Sequence, residues 1–142
     1  MVRDGRSVVH SLIKKINEPF TSNTVRKYLL TWNSFNIIVN KQCKKLGPKF
    51  CKLVKYEDLV LNTKEKMREV SSFLNLTWTD EFLNHEKYVG NKIAISNSEW
   101  STNQIKEKIY TDSLRNWVGN IHFKSYENIA YRYPIFQEFG YA

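Results

Sequence analysis

The sequence predicts an α/β fold that consists mostly of helices, with one or two short parallel strands. An apolar strand end at Met1-Val2 runs into Asp4-Gly5 and then into a helix, and a second apolar stretch, 51–56, has the length of a buried strand. Apolar residues recur every three or four positions over about 24–45, which indicates an amphipathic helix. The 142 residues, 42% of them apolar, suffice for one compact domain with a hydrophobic core.

The opening stretch, 1–15, predicts an anion-binding site. The first helix is expected to begin at Ser7, where free backbone N–H groups and the helix dipole would stabilise a phosphate. Arg3 and Arg6 can add guanidinium hydrogen bonds. Ser11 lies one turn after Ser7 on the same face, so its hydroxyl can donate to a ligand oxygen. An ordinary strand, turn and capped helix with solvated arginines fits the same residues equally well.

The second helix is expected over about 24–45. Gly47-Pro48 should end it, because a left-handed cap is followed there by a residue that cannot continue a helix. Its predicted buried face is the apolar stripe Val25, Tyr28, Leu29, Trp32, Phe35 and Val39.

Two cysteines, Cys43 and Cys51, flank that Gly-Pro turn. Their Cα atoms can lie within the roughly 4.4–6.8 Å that a disulfide requires. Two free buried cysteines fit the spacing equally well. Metal binding is less favoured, because two cysteines without a neighbouring His or Cys pair do not complete a tetrahedral site.

Shorter helices are predicted after the second strand. An amphipathic pattern continues to about Leu76, and Asn62 with Glu65 resembles a capping box at its start. Another short helix is expected to open at Thr79-Asp80. These elements place alternating short helices and turns in the middle of the chain.

The last third of the chain is less regular. The polar stretch 91–112 has no clear periodicity, and a loop of that length is typically functional or mobile, although a solvated surface loop has the same composition. Ser113 can cap a further helix. The tail, 123–142, is predicted to be one helix broken at Pro134.

The formal net charge of +8 favours anionic partners, such as nucleotides, nucleic acid, anionic membranes or acidic peptides. No apolar run approaches the roughly 18 residues of a membrane span, and Met1 is followed by no signal-peptide core. A nucleic-acid-binding module would explain the charge and the aromatic residues. It is disfavoured because the lysines are scattered among the predicted helices and no nucleic-acid motif occurs.

Five blocks of sequence together form a recognisable pattern. They are Val2-Arg3-Asp4-Gly5-Arg6 followed by Ser11, the pair Cys43 and Cys51, the block 54–60, the block 99–104, and Trp117-Val118-Gly119. In order and nearly in spacing, these blocks resemble the protein-tyrosine sulfotransferases. The resemblance covers essentially the whole chain.

The resemblance implies the C-terminal part of a single sulfotransferase catalytic domain, 1–142, with a P-loop nucleotide-kinase-like fold. Members of that family transfer sulfate from 3′-phosphoadenosine 5′-phosphosulfate, without a metal, to tyrosines of secretory proteins. The implied partners are acidic tyrosine-containing peptides or proteins and a second copy of the chain, not nucleic acid. The implied location is the Golgi lumen, with a membrane anchor outside this chain, where the sequon at Asn75 can carry a glycan.

The resemblance also implies ligands for the nucleotide. Arg3 and Ser11 match the family's ligands for the 3′-phosphate. Lys15 stands where the family usually has an arginine, which keeps the charge but loses the bidentate fork. Tyr56 matches a tyrosine that contacts the nucleotide, and Arg115 is a candidate substitute for a family lysine that aligns with Asn116.

The block 99–104 matches the loop that closes over the co-substrate. Ser101 matches a serine that stabilises the transferring sulfate, as a donor aimed at developing charge should. Thr102, Asn103 and Gln104 continue that loop, with Asn103 where the family has aspartate. Cys43 and Cys51 match a family disulfide, which lumenal compartments permit.

The family's phosphosulfate loop and catalytic glutamate precede the segment that matches Met1. Neither is found here, since no Gly-rich loop ends in Lys-Ser or Lys-Thr. We therefore expect a fragment or a truncated gene model that holds the 3′-phosphate half of the site and is inactive alone. A non-catalytic truncated paralogue is an alternative. A carbohydrate or small-molecule sulfotransferase is disfavoured by the cysteine pair and by Trp100-Ser101-Thr102.

Overall fold

The computed structural model of the chain describes residues 1–96 and 102–141, without the side chains of Thr102 and Asn103. The described residues form two compact units. We call 1–55 with 112–142 the terminal unit, and 56–111 the middle unit. The interpretation of the chain as part of one catalytic domain stays a prediction.

Helix α1, Gly5–Ile16, opens the terminal unit. It begins two residues before the predicted start, because Asp4 caps it: the Asp4 carboxylate accepts a hydrogen bond from the backbone N–H of Arg6 at 2.8 Å. The helix ends at Asn17 in the left-handed conformation, with φ 55°. A carboxylate of the chain itself therefore occupies the helix start at which the sequence predicted a bound phosphate.

Parallel pairing joins Val2 to Lys55, and the backbone N–H of Val2 donates to the carbonyl of Val54 at 2.8 Å. A mostly helical chain with little parallel β-structure agrees with the predicted class. The predicted strand over 51–56 is largely wrong. Within it only Lys55 pairs as a β-bridge, and Tyr56 already begins a helix.

Helix α2, Ser22–Leu46, confirms the long second helix. Thr21 caps its start by accepting from the backbone N–H of Thr24 at 3.1 Å, and Gly47 ends it with φ 78°. The sequence predicted both ends within about two residues. The periodicity of the apolar positions and the turn residues after them carried that prediction.

The predicted buried face of α2 is correct only in its first half. Val25, Leu29 and Trp32 are buried, whereas Phe35 is 65% exposed and Val39 is also exposed. Asn36 is buried instead, and its side-chain amide donates to the carbonyl of Trp32 at 2.8 Å. The buried stripe thus continues from Trp32 to Asn36, four positions on, and Phe35 lies beside it.

A disulfide joins Cys43 to Cys51, with their Cα atoms 5.3 Å apart. It ties the last turns of α2 to the segment after Gly47. The predicted pairing is therefore present in the structure.

The tail is not one helix broken at Pro134. It forms 3₁₀ helices at Ile121–Tyr126 and Ile129–Tyr131, followed by α6, Pro134–Glu138. Pro134 begins that last helix rather than breaking one, because the first turn does not need the N–H that proline lacks. Before the tail, a 3₁₀ helix at Asp112–Arg115 replaces the predicted helix capped at Ser113.

The core of the terminal unit lies between α1, α2 and the tail. Trp32 and Phe136 pack with ring centroids 4.4 Å apart, and Gly5 lies against both rings. The buried apolar side chains are Val2, Val9, Ile13, Val25, Leu29, Trp32, Phe123, Tyr126, Ile129, Tyr133, Ile135, Phe136, Phe139 and Tyr141.

Arg6 is a buried structural residue rather than a phosphate ligand or a solvated side chain. It is 6% exposed and forms an ion pair with Asp4, Nη2 to Oδ2, at 2.8 Å. Its Nη1 donates to the carbonyl of Glu127 at 2.9 Å, and the guanidinium lies 4.2 Å from the ring centroid of Trp117. Every face of this cation is therefore matched by an acceptor or an aromatic ring.

The middle unit comprises short helices: α3, Tyr56–Leu61; α4, Thr63–Phe73; 3₁₀ helices at Asp80–Leu83 and His85–Lys87; and α5, Thr102–Ile105. The predicted amphipathic helix is confirmed as α4, but Asn62 makes no side-chain capping bond, so the predicted capping box is wrong. Thr79 does cap the following helix, accepting from the backbone N–H of Glu81.

We predict that Gly5→Ala destabilises the terminal unit. A Cβ atom at this position would lie 2.6 Å from Cζ of Phe136 and 2.8 Å from Cδ2 of Trp32, closer than packed side chains tolerate. Elsewhere in a helix the same change usually stabilises by roughly 0.5–1 kcal/mol. Here overpacking should lower the free energy of unfolding by about 1–3 kcal/mol. Urea unfolding measures the change, and Ser34→Ala on the exposed side of α2 is the control.

Candidate functional site

One face of α1 meets the segment that carries the 3₁₀ helix Asp112–Arg115. The guanidinium of Arg3, just before the helix, donates to the carbonyl of Ser113. One turn into the helix, the hydroxyl of Ser7 donates to the carbonyl of Leu114 at 2.7 Å. Ser7 is fully buried at this contact, so it is a structural residue rather than a ligand.

The next turn on the same face carries Ser11, which is only half-buried. The amide Nδ2 of Asn116 donates to the hydroxyl oxygen of Ser11 at 2.9 Å. Because that oxygen already accepts from the amide, the serine hydrogen is left to donate outwards, which is what a phosphate oxygen requires. The amide Oδ1 of Asn116 is buried and finds no hydrogen-bond partner within the described residues.

His10 precedes Ser11 on α1 and lies near two positively charged side chains, Lys14 and Arg3. Burial lowers the pKa of His10 below its ordinary value, and the positive charges of Lys14 and Arg3 lower it further. Its Nδ1 is buried and without a hydrogen-bond partner in the described part of the chain. The imidazole is therefore neutral near pH 7, and Arg3 and Lys14 supply positive potential that an anion would compensate.

Two further predicted ligands lie in the terminal unit. Lys15 is exposed in the last turn of α1, where its charge also complements the helix dipole. Arg115 is exposed at the end of the 3₁₀ helix that α1 meets. The terminal unit thus brings Arg3 and Ser11 to one segment of the chain, and the roles of these four residues stay predictions.

The other predicted ligands belong to the middle unit. Tyr56 begins α3, and Gln104 is exposed in α5. The backbone of Thr102 and Asn103 forms the start of α5, while Ser101 lies outside the described residues. The assignment of these residues to the co-substrate loop therefore stays a prediction.

The sequence did not reveal the contact between Asn116 and Ser11. The two residues are 105 positions apart, and no periodicity or spacing connects them. The resemblance drew attention to Asn116 because it aligns with a family lysine, but it did not indicate Ser11 as its partner. The aromatic contacts of His10 with Phe20 and Phe123, at 5.1 and 6.0 Å between centroids, were hidden for the same reason.

A cavity of about 450 Å³ lies within the middle unit. None of the predicted ligands lines it. Its walls are mostly apolar, and Glu81 and Lys92 form an ion pair at 2.9 Å beside them. The lining residues are Leu59, Thr63, Met67, Glu81, Phe82, His85, Tyr88, Lys92, Ile93 and Ile109.

The described residues contain neither a metal-binding cluster nor a membrane-spanning helix. Over 1–96 and 102–141, no group of three or more His, Cys, Asp or Glu side chains is placed to hold a metal ion. In the same ranges, no helix combines the length and the apolar character needed to cross a membrane.

The sequence pattern that defines the "Sulfotransferase family" matches residues 1–80, which include α1, α2 and the disulfide. The chain belongs to the sulfotransferase family. Over 99% of its length it is 36% identical to protein-tyrosine sulfotransferase A of Caenorhabditis elegans and 34% identical to protein-tyrosine sulfotransferase 2 of Gallus gallus. It is 33% identical, again over 99% of its length, to protein-tyrosine sulfotransferase of Drosophila melanogaster.

These comparisons confirm the resemblance that the five blocks indicated. The chain spans 38% of the length of the Caenorhabditis protein, 39% of the Gallus protein and 29% of the Drosophila protein. A sulfotransferase family member uses 3′-phosphoadenosine 5′-phosphosulfate as the sulfate donor. Arg3 and Ser11 both fall in the part of the chain that the family pattern matches.

We predict that His10 makes the stability of the chain fall in mild acid. Its pKa is depressed in the folded state, so below about pH 6.5 the unfolded state binds more protons than the folded state. Stability is therefore full above that pH and is lost as the pH falls through the folded-state pKa. Chemical denaturation at a series of pH values should show a steeper acid loss for the wild type than for His10→Phe, which cannot titrate. Ser34→Ala should keep the wild-type slope, and identical slopes for His10→Phe and wild type would contradict the prediction.

Proposed function

We propose that this chain supplies the 3′-phosphate-binding part of a protein-tyrosine sulfotransferase. The donor would be 3′-phosphoadenosine 5′-phosphosulfate and the acceptor a tyrosine of an acidic peptide or protein. The observation that carries the proposal is the α1 face on which Arg3 and Ser11 meet one segment of the chain, within the part that matches the family. Net charge of +8 supports anionic ligands and acidic acceptors.

Each residue of that face would make a different kind of interaction with the phosphate. Arg3 supplies a permanent charge and a planar set of donors. Ser11 supplies a neutral donor whose direction is set by Asn116. Lys15 supplies a mobile charge from the end of α1. The start of the helix contributes little, because the Asp4 carboxylate already neutralises it.

The P-loop nucleotide-kinase-like fold is part of the same proposal. It is supported by the parallel pairing of Val2 with Lys55, since each of these residues is followed along the chain by a helix, α1 or α3. This is the order found in parallel α/β sheets, whose ligands bind at the carboxyl ends of the strands. Arg3 and Tyr56 are the residues that directly follow the two paired positions.

Location and assembly are proposed on similar grounds. The Cys43–Cys51 disulfide suits the oxidising lumen of the secretory pathway, as expected for a Golgi enzyme. Asn75, in the sequon, is exposed after α4 and would be accessible for glycosylation there. A membrane anchor outside this chain and a homodimer complete the proposal.

A non-catalytic nucleotide-binding paralogue is the second candidate. It is favoured by two substitutions that the resemblance identifies, Lys15 for an arginine and Asn116 for a lysine. Asn116 donates one amide hydrogen to Ser11 and supplies no charge of its own. Such a protein would keep the bisphosphate site and transfer no sulfate.

We predict that Arg3→Ala weakens binding of adenosine 3′,5′-bisphosphate at least tenfold. Losing charge-assisted hydrogen bonds costs on the order of 1.5–3 kcal/mol. Isothermal titration calorimetry at fixed salt measures the affinity. Arg68→Ala, which removes an exposed arginine that stacks over Trp78 in the middle unit, is the matched control and should bind normally.

Adenosine 5′-phosphate separates recognition of the 3′-phosphate from recognition of the nucleoside. It lacks the 3′-phosphate, so its weaker binding should be indifferent to Arg3→Ala. Equal affinity of wild type and Arg3→Ala for the bisphosphate would remove Arg3 from the site.

We predict that sulfate transfer needs the segment that contains the family's base. A chimera in which these 142 residues replace the matching part of the Caenorhabditis protein should sulfate an acidic tyrosine peptide, whereas the 142-residue chain alone should not. In the chimera, Ser101→Ala should lower kcat more than it weakens co-substrate binding, because the serine is expected to act on the transition state.

Transfer of labelled sulfate to the peptide is the measurement. Ser72→Ala, on the exposed side of α4, is the control for Ser101→Ala. An inactive chimera that still binds the bisphosphate would favour the non-catalytic paralogue. Transfer by the 142-residue chain alone would show that the base lies within it.

A further inference from the structure

A pocket in the terminal unit lies at the start of α2 and has a volume of about 560 Å³. This volume is within the range of small-molecule sites, roughly 300–1,000 Å³. It is separate from the α1 face, since none of Arg3, Ser11 or Asn116 lines it. Its lining residues are Ser22, Asn23, Arg26, Leu30, Tyr126, Arg132 and Tyr133.

The helix start in this pocket differs from that of α1. The first turn of α2 contains no acidic residue, and Thr21 caps it with a neutral hydroxyl. The free N–H groups of that turn therefore keep their positive potential. Arg26 adds a positive charge one turn into the helix, where the dipole makes a cation unfavourable unless an anion is close.

Two tyrosines of the pocket point independently to a ligand. Tyr126 is 4% exposed and Tyr133 is 8% exposed, and both line the cavity. Neither hydroxyl takes part in a hydrogen bond within the described part of the chain. Neither hydroxyl is among the buried atoms that lack a partner, so solvent reaches both hydroxyls in the cavity while the rings stay packed. Each hydroxyl is therefore available to donate to a ligand oxygen there.

The charges around these hydroxyls are positive. Burial raises the pKa of Tyr133, Tyr126 raises it further, and the charges of Arg26 and Arg132 act in the opposite direction. The two arginines are therefore close enough to Tyr133 to act on its ionisation. Arg132 also lies over the ring of Tyr126, 5.6 Å from its centroid.

No carboxylate neutralises these cations. Among the residues that line the pocket there is no Asp or Glu, and neither arginine forms an ion pair in the described ranges 1–96 and 102–141. The pocket thus combines two guanidinium groups, two hydroxyl donors and a helix start. All of these groups can donate hydrogen bonds to an oxyanion.

We propose that this pocket binds a sulfate or phosphate group, either as the free ion or as the end of a small ester. The oxyanion lies between Arg26 and Arg132 and accepts from the first turn of α2 and from the hydroxyls of Tyr126 and Tyr133. Leu30 and the tyrosine rings give apolar walls to the part of the cavity that a single ion leaves unfilled. The site is independent of the bisphosphate site on α1.

The test is a titration of the ¹⁵N-labelled 142-residue chain followed by NMR, at constant ionic strength. Sodium sulfate, sodium phosphate and tyrosine O-sulfate are the three ligands, and sodium chloride is the control salt. The backbone amides of Ser22 and Asn23 should shift and saturate with sulfate or phosphate but not with chloride. At least tenfold tighter binding of tyrosine O-sulfate identifies the ester as the source, and equal affinities identify the free ion.

Variants assign the effect to the pocket. Arg26→Gln and Arg132→Gln should each weaken sulfate binding about tenfold, the loss expected for a charge-assisted hydrogen bond. Lys41→Gln removes an exposed charge from α2 outside the pocket and should leave the affinity unchanged. Tyr133→Phe keeps the packed ring and should weaken binding about two- to tenfold, because it removes one neutral donor.

The α1 site provides an internal reference. Arg3→Ala should leave the sulfate-dependent shifts of Ser22 and Asn23 intact, and Arg26→Gln should leave affinity for adenosine 3′,5′-bisphosphate intact. Shifts that do not saturate, that chloride reproduces, or that persist unchanged in Arg26→Gln and Arg132→Gln would overturn the proposal.

Discussion

The packing of the terminal unit depends on the buried ion pair between Asp4 and Arg6 at the start of α1. Removing two charges from water costs several kcal/mol per ion, and only complete hydrogen bonding and close packing offset that cost. Arg6 meets this condition by donating to Asp4 and to the carbonyl of Glu127, and by stacking on Trp117. The start of α1 is therefore tied to the tail of the chain. The same pair withdraws Arg6 and the start of α1 from ligand binding.

The N-terminal ends of α1 and α2 are capped by residues of different charge. At α1 the carboxylate of Asp4 satisfies the end of the helix, so any anion must bind along its side, where Arg3 and Ser11 lie. At α2 only the hydroxyl of Thr21 caps the end, and Arg26 adds to its potential. The general attraction of a helix start for anions therefore predicts the wrong position in α1, because it does not distinguish a free end from one that the chain itself neutralises.

Sequence patterns predicted the elements whose bounds depend on neighbouring residues in the chain. The bounds of α2 followed from apolar periodicity and from Gly47-Pro48, and the disulfide partner of Cys43 followed from the resemblance. The prediction was wrong where a distant segment decides. Phe35 continues the apolar pattern, but the buried stripe runs from Trp32 to Asn36 and leaves Phe35 exposed beside it. The partner of Ser11 could not be read from spacing, because Asn116 lies 105 positions away and meets Ser11 only in the folded chain.

The substitution of an amide at position 116 changes how the proposed site would hold a phosphate. A lysine there would place a positive charge next to the phosphate. Asn116 instead donates a hydrogen bond to Ser11 and orients that hydroxyl. A neutral hydrogen bond contributes about half as much as a charge-assisted one, so more of the binding energy falls on the remaining cations. Lys15 is exposed at the end of α1, and its charge is screened by water and salt. Arg3, held against the carbonyl of Ser113, is the only one of these cations whose guanidinium is both fixed and partly buried within the described residues. The proposed bisphosphate site therefore depends chiefly on one arginine, whose position depends on the same ion pair that fixes the start of α1.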